Sequence, residues 1–235
     1  MILHNDSLFK IYFGDAKDDC VKSDGNYNIE YFEKKLDLLV FDNIVFLKQV
    51  HGDLGVNVDQ NYLNKKFILF ENSGDFIVTN QRNVGIGVLT ADCLPVAFYD
   101  PVHHVIGIAH AGWRGAISNI FENIIKKMSE NFGTKPQDLA VYFGASASVC
   151  CYEVKYDFFK NLEYISSFDE FIIKKDEKFF FDLSKLATFK LIKLGVLKPQ
   201  INFSYNNCTI CDERFHSYRR NLMNYGRQAT IISLK

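Results

Sequence analysis

The sequence predicts an α+β fold with a mixed β-sheet, and its 235 residues suffice for one large domain or two small ones. Short apolar segments separated by turn residues outnumber the segments with helical periodicity. Four strand-like segments follow one another directly, so the regular strand–helix alternation of doubly wound folds is missing. Hydrophobic residues make up 48% of the chain and charged residues 23%, which is ordinary for a globular protein with a sizeable core.

The first half of the chain is predicted to be mainly β-structure. LFKIYFG (8–14) and NIVFLKQ (43–49) are the first two predicted strands, and no element is predicted over residues 50–70. The four consecutive strands are predicted at 72–79, 84–90, 94–100 and 104–110. Their connections are short and contain Gly, Pro, Asp and Asn, as turns do. These strands are apolar on both faces, which indicates a sheet buried between two layers.

Two helices are predicted in the second half of the chain. The first follows from apolar residues at i, i+3, i+4, i+7, i+8 and i+11, namely Ile117, Ile120, Phe121, Ile124, Ile125 and Met128. Gly133 is expected to cap it in a left-handed conformation. The second lies within 179–195, with Asp182 as its N-cap and Gly195 at its C-terminus. Residues 154–163 are also predicted to be helical, and late strands are predicted at 139–144, 201–206 and 227–234.

The charge and the N-terminal residues restrict the partners that we expect. The net charge is −1, so no basic excess points to nucleic acid or to an anionic membrane as a partner. The first residues lack the basic-then-apolar pattern of a secretory signal, and no apolar run reaches the roughly 20 residues of a membrane span. We therefore expect a cytoplasmic protein whose six cysteines are thiols.

Three candidate metal ligands stand at the ends of strand-like segments. Cys93 follows GIGVLTAD, His110 ends VIGIAH, and His51 follows FLKQV. Strand ends of one sheet often converge at one edge, and two His and one Cys plus a water describe a catalytic zinc site. The spacing His51-x41-Cys93-x16-His110 is no zinc-finger pattern. Each residue alone is more often a core cysteine or a satisfied histidine.

Several neighbouring residues could bind or process a substrate. Arg114 precedes the first predicted helix, where it could hold an anion or simply be solvated. Trp113 could stack on a planar ligand or pack in the core. Asp92 could act as a general acid or base, or orient a ligand histidine. A second anion site, or a solvated basic face, is offered by Arg219, Arg220 and Arg227.

The remaining cysteines allow more than one interpretation. Cys208 and Cys211 form a C-x-x-C pair, which could be half of a zinc site or a redox pair. The sequence contains no second C-x-x-C pair and offers only the adjacent Cys150 and Cys151. The interpretation favoured by the sequence is that these cysteines are structural.

Seven motifs occur together in one order: KQVHG, TADCLPV, HAGWRG, CCYEV, FDL, CT and SYRR-x5-GR. In this combination the sequence resembles the bacterial laccase-domain (YfiH-like) family, also called polyphenol oxidase or purine nucleoside phosphorylase. The resemblance runs from about Leu8 to the C-terminus. It implies a single α+β domain over residues 1–235, with mixed β-sheets flanked by helices. It also implies a metal ion, usually zinc, held by His51, Cys93 and His110. One departure is FGASASV before CCYEV, where the family has a Gly/Pro-rich loop, and this bears on substrate preference.

The resemblance also implies a choice of activities. These are phosphorolysis of adenosine, inosine, guanosine and methylthioadenosine, deamination of adenosine, copper-dependent oxidation of phenols, and editing of peptidoglycan precursors. The expected partners of the nucleoside enzyme are a purine nucleoside and phosphate. Arg114 or Arg220 would hold the phosphate in phosphorolysis, and Asp92 would carry a proton in deamination.

The histidine content decides against the oxidase. The ligand set suits zinc and copper alike, but a multicopper centre needs many histidines. Beyond the triad the sequence has only His4, His103, His104 and His216, and its methionines are Met1, Met128 and Met223. None of these methionines is near the triad in sequence, where a blue-copper site would need its axial ligand. A metal-free hydrolase with Cys93 as nucleophile and His110 as base is the second alternative. We expect a zinc enzyme that acts on purine nucleosides.

Overall fold

The computed structural model describes residues 2–21, 27–39, 41–63, 65–163, 165, 168–222 and 226–235. Met1 and Met223 lie outside these residues. The strands of the described part are β1 Ile2–Asn5, β2 Phe9–Phe13, β3 Asn43–Lys48, β4 Gly55–Asn57, β5 Phe67–Ser73, β6 Phe76–Thr79, β7 Val84–Thr90, β8 Leu94–Asp100, β9 Val105–Ala111, β10 Ala140–Phe143, β11 Glu153–Val154, β12 Ile172–Lys175, β13 Lys178–Phe181, β14 Ile201–Asn202 and β15 Gln228–Leu234. The α-helices are α1 Ile29–Leu39, α2 Trp113–Ile117, α3 Ile120–Phe132, α4 Leu183–Lys193 and α5 Tyr218–Asn221.

Two six-stranded sheets form the centre of the fold. The first has the strand order β1-β2-β15-β7-β3-β5, and the second has the order β14-β10-β8-β9-β6-β4. Both are mixed: β3 is parallel to β5 and β7 in the first sheet, and β4 is parallel to β6 and β10 to β14 in the second, while the other neighbours are antiparallel. A small third sheet has the order β11-β13-β12. The predicted α+β class with mixed sheets is confirmed.

The two large sheets face each other, and helices cover their outer faces. Ile86 of β7 and Ile108 of β9 belong to one buried cluster, which fills the space between the sheets. Phe32 of α1 packs on the outer face of the first sheet, and Ile124 of α3 and Leu186 of α4 pack on the second. This layering explains why the central strands are apolar on both faces.

The glycines of VGIGVLT permit an aromatic layer on the first sheet. A Cβ atom at Gly87 would lie 2.3 Å from the ring of Phe46, and one at Gly85 would lie 2.6 Å from the ring of Phe41. Glycine therefore lets these rings lie directly on the backbone of β7. The strand alternates such glycines with Ile86 and Val88, which point into the space between the sheets.

Several predicted elements need correction. The segment 50–70, for which no element was predicted, contains β4 and the start of β5. The single strand predicted over 72–79 is interrupted after Ser73, and β6 begins at Phe76. Residues Tyr156–Asn161 form a 3₁₀-helix rather than an α-helix, and the strand predicted over 201–206 ends at Asn202. The sequence also missed the peripheral elements β1, β11, β12, β13 and α1.

The helix predicted from Ile117 is broken into two. α2 ends at Ile117 and α3 begins at Ile120, because polar side chains bind the backbone between them. The Asp53 carboxylate accepts hydrogen bonds from the Ser118 hydroxyl and, at 3.2 Å, from the Asn119 N–H. The Lys190 ammonium donates to the carbonyls of Ile117 and Ser118. These bonds replace those that a continuous helix would make.

The predicted helix caps are confirmed. Gly133 has φ 78° at the C-terminus of α3. The Asp182 side chain accepts a 2.8 Å hydrogen bond from the Lys185 N–H at the start of α4, and Gly195, with φ 99°, follows its end. None of the helices in the described ranges is long and apolar enough to span a lipid bilayer.

Candidate metal centre and its pocket

The three predicted ligands meet where the two sheets adjoin. His51 follows β3 and Cys93 follows β7 of the first sheet, while His110 lies near the end of β9 in the second. Their donor atoms all lie within 4.8 Å of one another. The His51 and His110 rings have centroids 4.8 Å apart and are inclined by 78°. The three strand ends converge, as the sequence predicted.

A buried carboxylate that the sequence did not single out organises this centre. Asp75 is 1% exposed and precedes β6. Its carboxylate accepts hydrogen bonds from the backbone N–H groups of Val50, His51 and Gly52, at 3.3, 3.0 and 2.7 Å. His51 has φ 60°, a conformation that costs free energy in a non-glycine residue. Asp75 therefore holds the loop in the conformation that turns His51 toward its partners.

The same carboxylate orients His110. Asp75 Oδ1 lies 2.8 Å from His110 Nδ1, and the His110 backbone N–H donates to the Asp75 carbonyl at 2.7 Å. With Nδ1 engaged, Nε2 is the nitrogen left to bind a metal. Phe76 pairs with Ala109, and this register brings Asp75 beside His110. Only the pairing of β6 with β9 could have identified Asp75, since no local motif marks it.

The charged forms of Cys93 and His110 stabilise each other. Burial raises the pKa of Cys93, but the neighbouring His110 and His51 outweigh it and lower that pKa to about 6. Burial lowers the pKa of His110, but Cys93 and Asp75 outweigh it and raise that pKa to about 9. In the metal-free protein Cys93 is therefore a thiolate beside a protonated His110. A thiolate is the form of cysteine that binds metals.

The two glycines of HAGWRG allow close packing around the ligands. A Cβ atom at Gly112 would lie 3.1 Å from the Cys93 sulfur and 3.3 Å from the His51 ring. A Cβ atom at Gly115 would lie 2.5 Å from the carbonyl oxygen of Gly52. The first glycine therefore leaves room for the ligands, and the second lets α2 pack against the loop that carries His51.

We expect Gly112→Ala to weaken metal binding about tenfold, because the added methyl group displaces Cys93 or His51. Overpacking of this kind costs about 1–3 kcal/mol. Isothermal titration of the metal-depleted protein with Zn²⁺ measures the effect. Gly52→Ala is the matched control, since its Cβ would meet its nearest neighbour at an ordinary 3.5 Å. Equal affinities of the two variants would refute this explanation of Gly112.

The ligands lie in the wall of a pocket of about 450 Å³. The described part of its wall combines aromatic rings, arginines and one carboxylate. The described lining residues are Tyr27, Gln49, His51, Leu89, Ala91, Asp92, Cys93, His110, Trp113, Arg114, Tyr152, Leu183, Tyr218, Arg219 and Arg227. The predicted site residues Asp92, Trp113 and Arg114 are among them, and Arg220 is not.

Trp113 and Arg114 form one side of the pocket. The Arg114 guanidinium lies 4.5 Å from the centre of the Trp113 ring, in the range of a cation–π contact. Trp113 also contacts Phe158, whose ring centroid is 5.1 Å away, and packs against the core beneath the second sheet. Trp113 is therefore both a packing residue and part of the pocket wall. Arg114 is exposed and belongs to the five-residue helix α2, so it does not stand at the start of the long helix as predicted.

Arg220 is a structural residue, contrary to its predicted role in phosphate binding. Its guanidinium donates to the carbonyls of Thr209, Ile210, Asp212 and Phe215. These bonds hold the 209–215 loop together and direct the group away from the pocket. The sequence could not distinguish Arg220 from its neighbours in SYRR.

Arg219, the preceding residue, does line the pocket. Its guanidinium stacks on the Tyr152 ring at 4.5 Å and donates to the Glu153 carbonyl. Arg227 lines the pocket as well, so two of the three arginines predicted as a second anion site belong to it.

Asp92 connects the centre to two other segments. Its carboxylate accepts hydrogen bonds from the Thr209 hydroxyl at 2.6 Å and from the Arg219 backbone N–H at 2.7 Å. Its carbonyl accepts from the Ala147 N–H at 2.9 Å. The orientation of a ligand histidine, one role predicted for Asp92, belongs to Asp75 instead.

Comparison with known proteins identifies the family. The sequence model of the family described as multi-copper polyphenol oxidoreductase laccase matches residues 13–235, which include all three ligands and the pocket. The chain belongs to this laccase-domain family. It is 31% identical to a purine nucleoside phosphorylase of Clostridium acetobutylicum, over 98% of this chain and 94% of the relative. It is 32% identical to a purine nucleoside phosphorylase of Borreliella burgdorferi, over 84% of this chain and 80% of the relative.

Solved structures of laccase-domain proteins have the same fold. The hypothetical protein YfiH of Bacillus licheniformis superposes with a TM-score of 0.84 at 24% identity, over 97% of this chain and 93% of that one. The protein NMB0706 of Neisseria meningitidis superposes with a TM-score of 0.81 at 24% identity, over 100% and 98% of the two chains. The resemblance inferred from the motifs is confirmed.

Proposed function

We propose that this laccase-domain protein is a zinc-dependent purine nucleoside phosphorylase that also deaminates adenosine. Adenosine, inosine, guanosine and methylthioadenosine are the proposed nucleosides. The convergence of His51, Cys93 and His110 in the wall of one aromatic and arginine-lined pocket carries the proposal. The names of the relatives from Clostridium and Borreliella support the reaction. A cytoplasmic location is part of the same proposal.

The donor set fits a zinc ion. Two imidazoles and one thiolate are ligands that zinc prefers, and three protein ligands are typical of a catalytic rather than a structural site. The contact between Asp75 and His110 is the carboxylate–histidine arrangement that commonly supports such ligands. A bound zinc ion would supply Lewis-acid chemistry next to the substrate.

The rest of the pocket suits a purine nucleoside and phosphate. Trp113, Tyr152 and Tyr218 present aromatic rings on which a purine can stack. Among the described lining residues, Arg114, Arg219 and Arg227 supply three positive charges and Asp92 one carboxylate. Guanidinium groups bind phosphate oxygens in pairs of hydrogen bonds. A volume of about 450 Å³ is within the range of small-molecule sites.

Both reactions include a proton transfer, and Asp92 can carry that proton. In phosphorolysis a phosphate oxygen forms a bond to C1′, the C1′–N9 bond breaks, and the departing purine takes up a proton. In deamination the oxygen of water replaces the amino group at C6, and ammonia leaves with the proton. Asp92 is the carboxylate among the described lining residues, and each of its oxygens retains a free lone pair beside its present hydrogen bond. We assign the transferred proton of both reactions to the Asp92 carboxylate.

We expect Arg114→Ala to raise KM for phosphate about tenfold with little change in KM for the nucleoside. A charge-assisted hydrogen bond contributes about 1.5 kcal/mol or more, and about 1.4 kcal/mol is a factor of ten. Initial rates at varied phosphate concentration measure it. Arg214→Ala is the control, because it removes the same charge from an exposed position outside this pocket. An unchanged KM for phosphate would remove Arg114 from the anion site.

The proposed reaction is tested by product analysis with adenosine, in the presence and absence of phosphate. Phosphorolysis gives adenine and ribose 1-phosphate only with phosphate. Deamination gives inosine in either condition. If the zinc-loaded protein formed neither adenine nor inosine, the proposed function would be wrong.

A metal-free Cys/His hydrolase that edits peptidoglycan precursors is the second candidate. The low pKa of Cys93, about 6, beside a protonated His110 supports it, because this pair resembles an activated thiolate nucleophile. It differs from the first proposal in retaining activity without metal. Copper oxidation of phenols has less support. Among the described residues, the groups close enough to share a metal are the triad and a cluster of cysteines, so further histidine ligands are not at hand.

A further inference from the structure

Four cysteines outside the pocket form a second cluster. Cys150 and Cys151 lie in the connection between β10 and β11, and Cys208 and Cys211 lie between β14 and α5. The four sulfur atoms all lie within 4.8 Å of one another, and the sulfurs of Cys150 and Cys211 are 3.9 Å apart. The sequence has no second C-x-x-C pair. In the structure, the adjacent cysteines Cys150 and Cys151 join Cys208 and Cys211 to form a group of four.

These separations are compatible with a tetrahedral metal site. Zinc–sulfur bonds are about 2.3 Å long, so the sulfurs of a tetrahedral zinc site are about 3.8 Å apart. The distance between Cys150 and Cys211 is close to this value, and the other separations need only small side-chain adjustments. A disulfide bond would need about 2.05 Å between one pair and would leave the other two thiols beside it.

Backbone N–H groups of both segments surround the sulfur of Cys208. The sulfur accepts hydrogen bonds from the N–H groups of Ile210, Cys211 and Ser148. Two of these donors belong to the C-x-x-C turn itself, and the third comes from the segment that carries Cys150 and Cys151. The two segments are therefore packed together at this sulfur.

We propose that Cys150, Cys151, Cys208 and Cys211 bind a second zinc ion as four thiolates. Four protein ligands close the coordination sphere, which is typical of a structural site rather than a catalytic one. Tetrahedral coordination by four sulfurs is also the geometry that selects zinc over harder metals. The site is separate from the triad and does not depend on the reaction that the triad performs.

The second zinc ion links two segments that build the pocket. Tyr152 directly follows Cys151 and lines the pocket, and Arg219 lies beyond Cys211 and stacks on Tyr152. Both segments are also anchored on Asp92, through the Ala147 N–H and the Thr209 hydroxyl. The same segments are held together by the Thr209 N–H, which donates to the Ser146 carbonyl at 2.9 Å, and by the Ser146 N–H, which donates to the Asn207 carbonyl at 3.0 Å. The metal therefore fixes the part of the pocket wall that carries Tyr152 and Arg219, without contacting the substrate.

Metal stoichiometry of the full-length protein tests the proposal. The chain is loaded with Zn²⁺, passed over a desalting column and analysed for zinc per chain. We expect two zinc ions in the unchanged protein, one in Cys93→Ala, and one in the double variant Cys150→Ser with Cys211→Ser. The Cys93→Ala protein loaded with Co²⁺ should show intense sulfur-to-metal charge-transfer absorption from the remaining thiolate site.

A second readout does not require the double variant to fold. In Cys93→Ala, alkylation followed by mass spectrometry should find Cys150, Cys151, Cys208 and Cys211 protected when zinc is bound and reactive after chelation. Absence of zinc and cobalt from Cys93→Ala would overturn the proposal. So would recovery of these four cysteines as disulfides, or alkylation at the same rate with and without zinc.

Discussion

Cys93→Ala should reduce phosphorolysis of adenosine by a factor of about 10³ or more. The variant leaves only His51 and His110 as ligands of the zinc ion proposed for the triad. A metal acting as a Lewis acid contributes several kcal/mol, and each 1.36 kcal/mol is a factor of ten in rate. The rate of adenine release at saturating phosphate measures the effect, and zinc analysis should show the loss of one metal ion per chain.

Cys20→Ala is the matched control for this experiment. Cys20 is fully buried beneath α1, outside both groups of metal ligands. Removing its thiol should lower stability modestly and leave zinc content and the reaction rate unchanged. Full turnover by Cys93→Ala would contradict both a metal-dependent mechanism and one with Cys93 as nucleophile.

Asp75→Asn should lower the affinity of the triad for zinc by about 10–100-fold, the usual effect of losing a carboxylate that supports a ligand histidine. The amide removes the charge that stabilises His110 and presents N–H groups where the native carboxylate accepts four hydrogen bonds. The free energy of unfolding should fall as well, by about 1–3 kcal/mol for each buried group left without a partner. Competition with a zinc chelator and urea denaturation measure the two effects.

The variant Asp92→Asn distinguishes the role of Asp92 from that of Asp75. Asp92 is also buried, but it contacts Thr209 and Arg219 rather than a ligand histidine. We expect this variant to keep its zinc affinity and to lose catalytic rate, because its proposed part is proton transfer. Equal zinc affinities of Asp75→Asn and Asp92→Asn would show that the contact of Asp75 with His110 does not support the metal.

The centre of the fold was predictable because its sequence pattern is local. VGIGVLT and LPVAFYD match β7 and β8 residue for residue, since both are continuous buried runs with turn residues on either side. The peripheral strands β4 and β11 are only three and two residues long, too short for a period to appear. The break before Ile120 was also unpredictable, because Asp53 and Lys190, which cause it, are distant in sequence.

In the candidate site, too, residues marked by a local sequence pattern were predictable, and those placed by contacts between distant segments were not. His51, Cys93 and His110 could be recognised because each lies within three residues of the end of a strand that the sequence reveals. Asp75 could not, since its partners come from β9 and from the loop after β3. Arg220 was misjudged because a guanidinium bound to backbone carbonyls and one that faces a ligand have the same local sequence. Roles that depend on pairing between distant segments need the fold.

The most direct test of the central claim is the reconstitution of nucleoside cleavage with zinc. The protein is depleted of metal, supplied with adenosine and phosphate, and titrated with Zn²⁺ while ribose 1-phosphate is measured. We predict no turnover in the depleted protein and a return of turnover as His51, Cys93 and His110 become occupied, with Cys93→Ala inactive throughout. Full turnover by the depleted protein would contradict the metal-dependent mechanism.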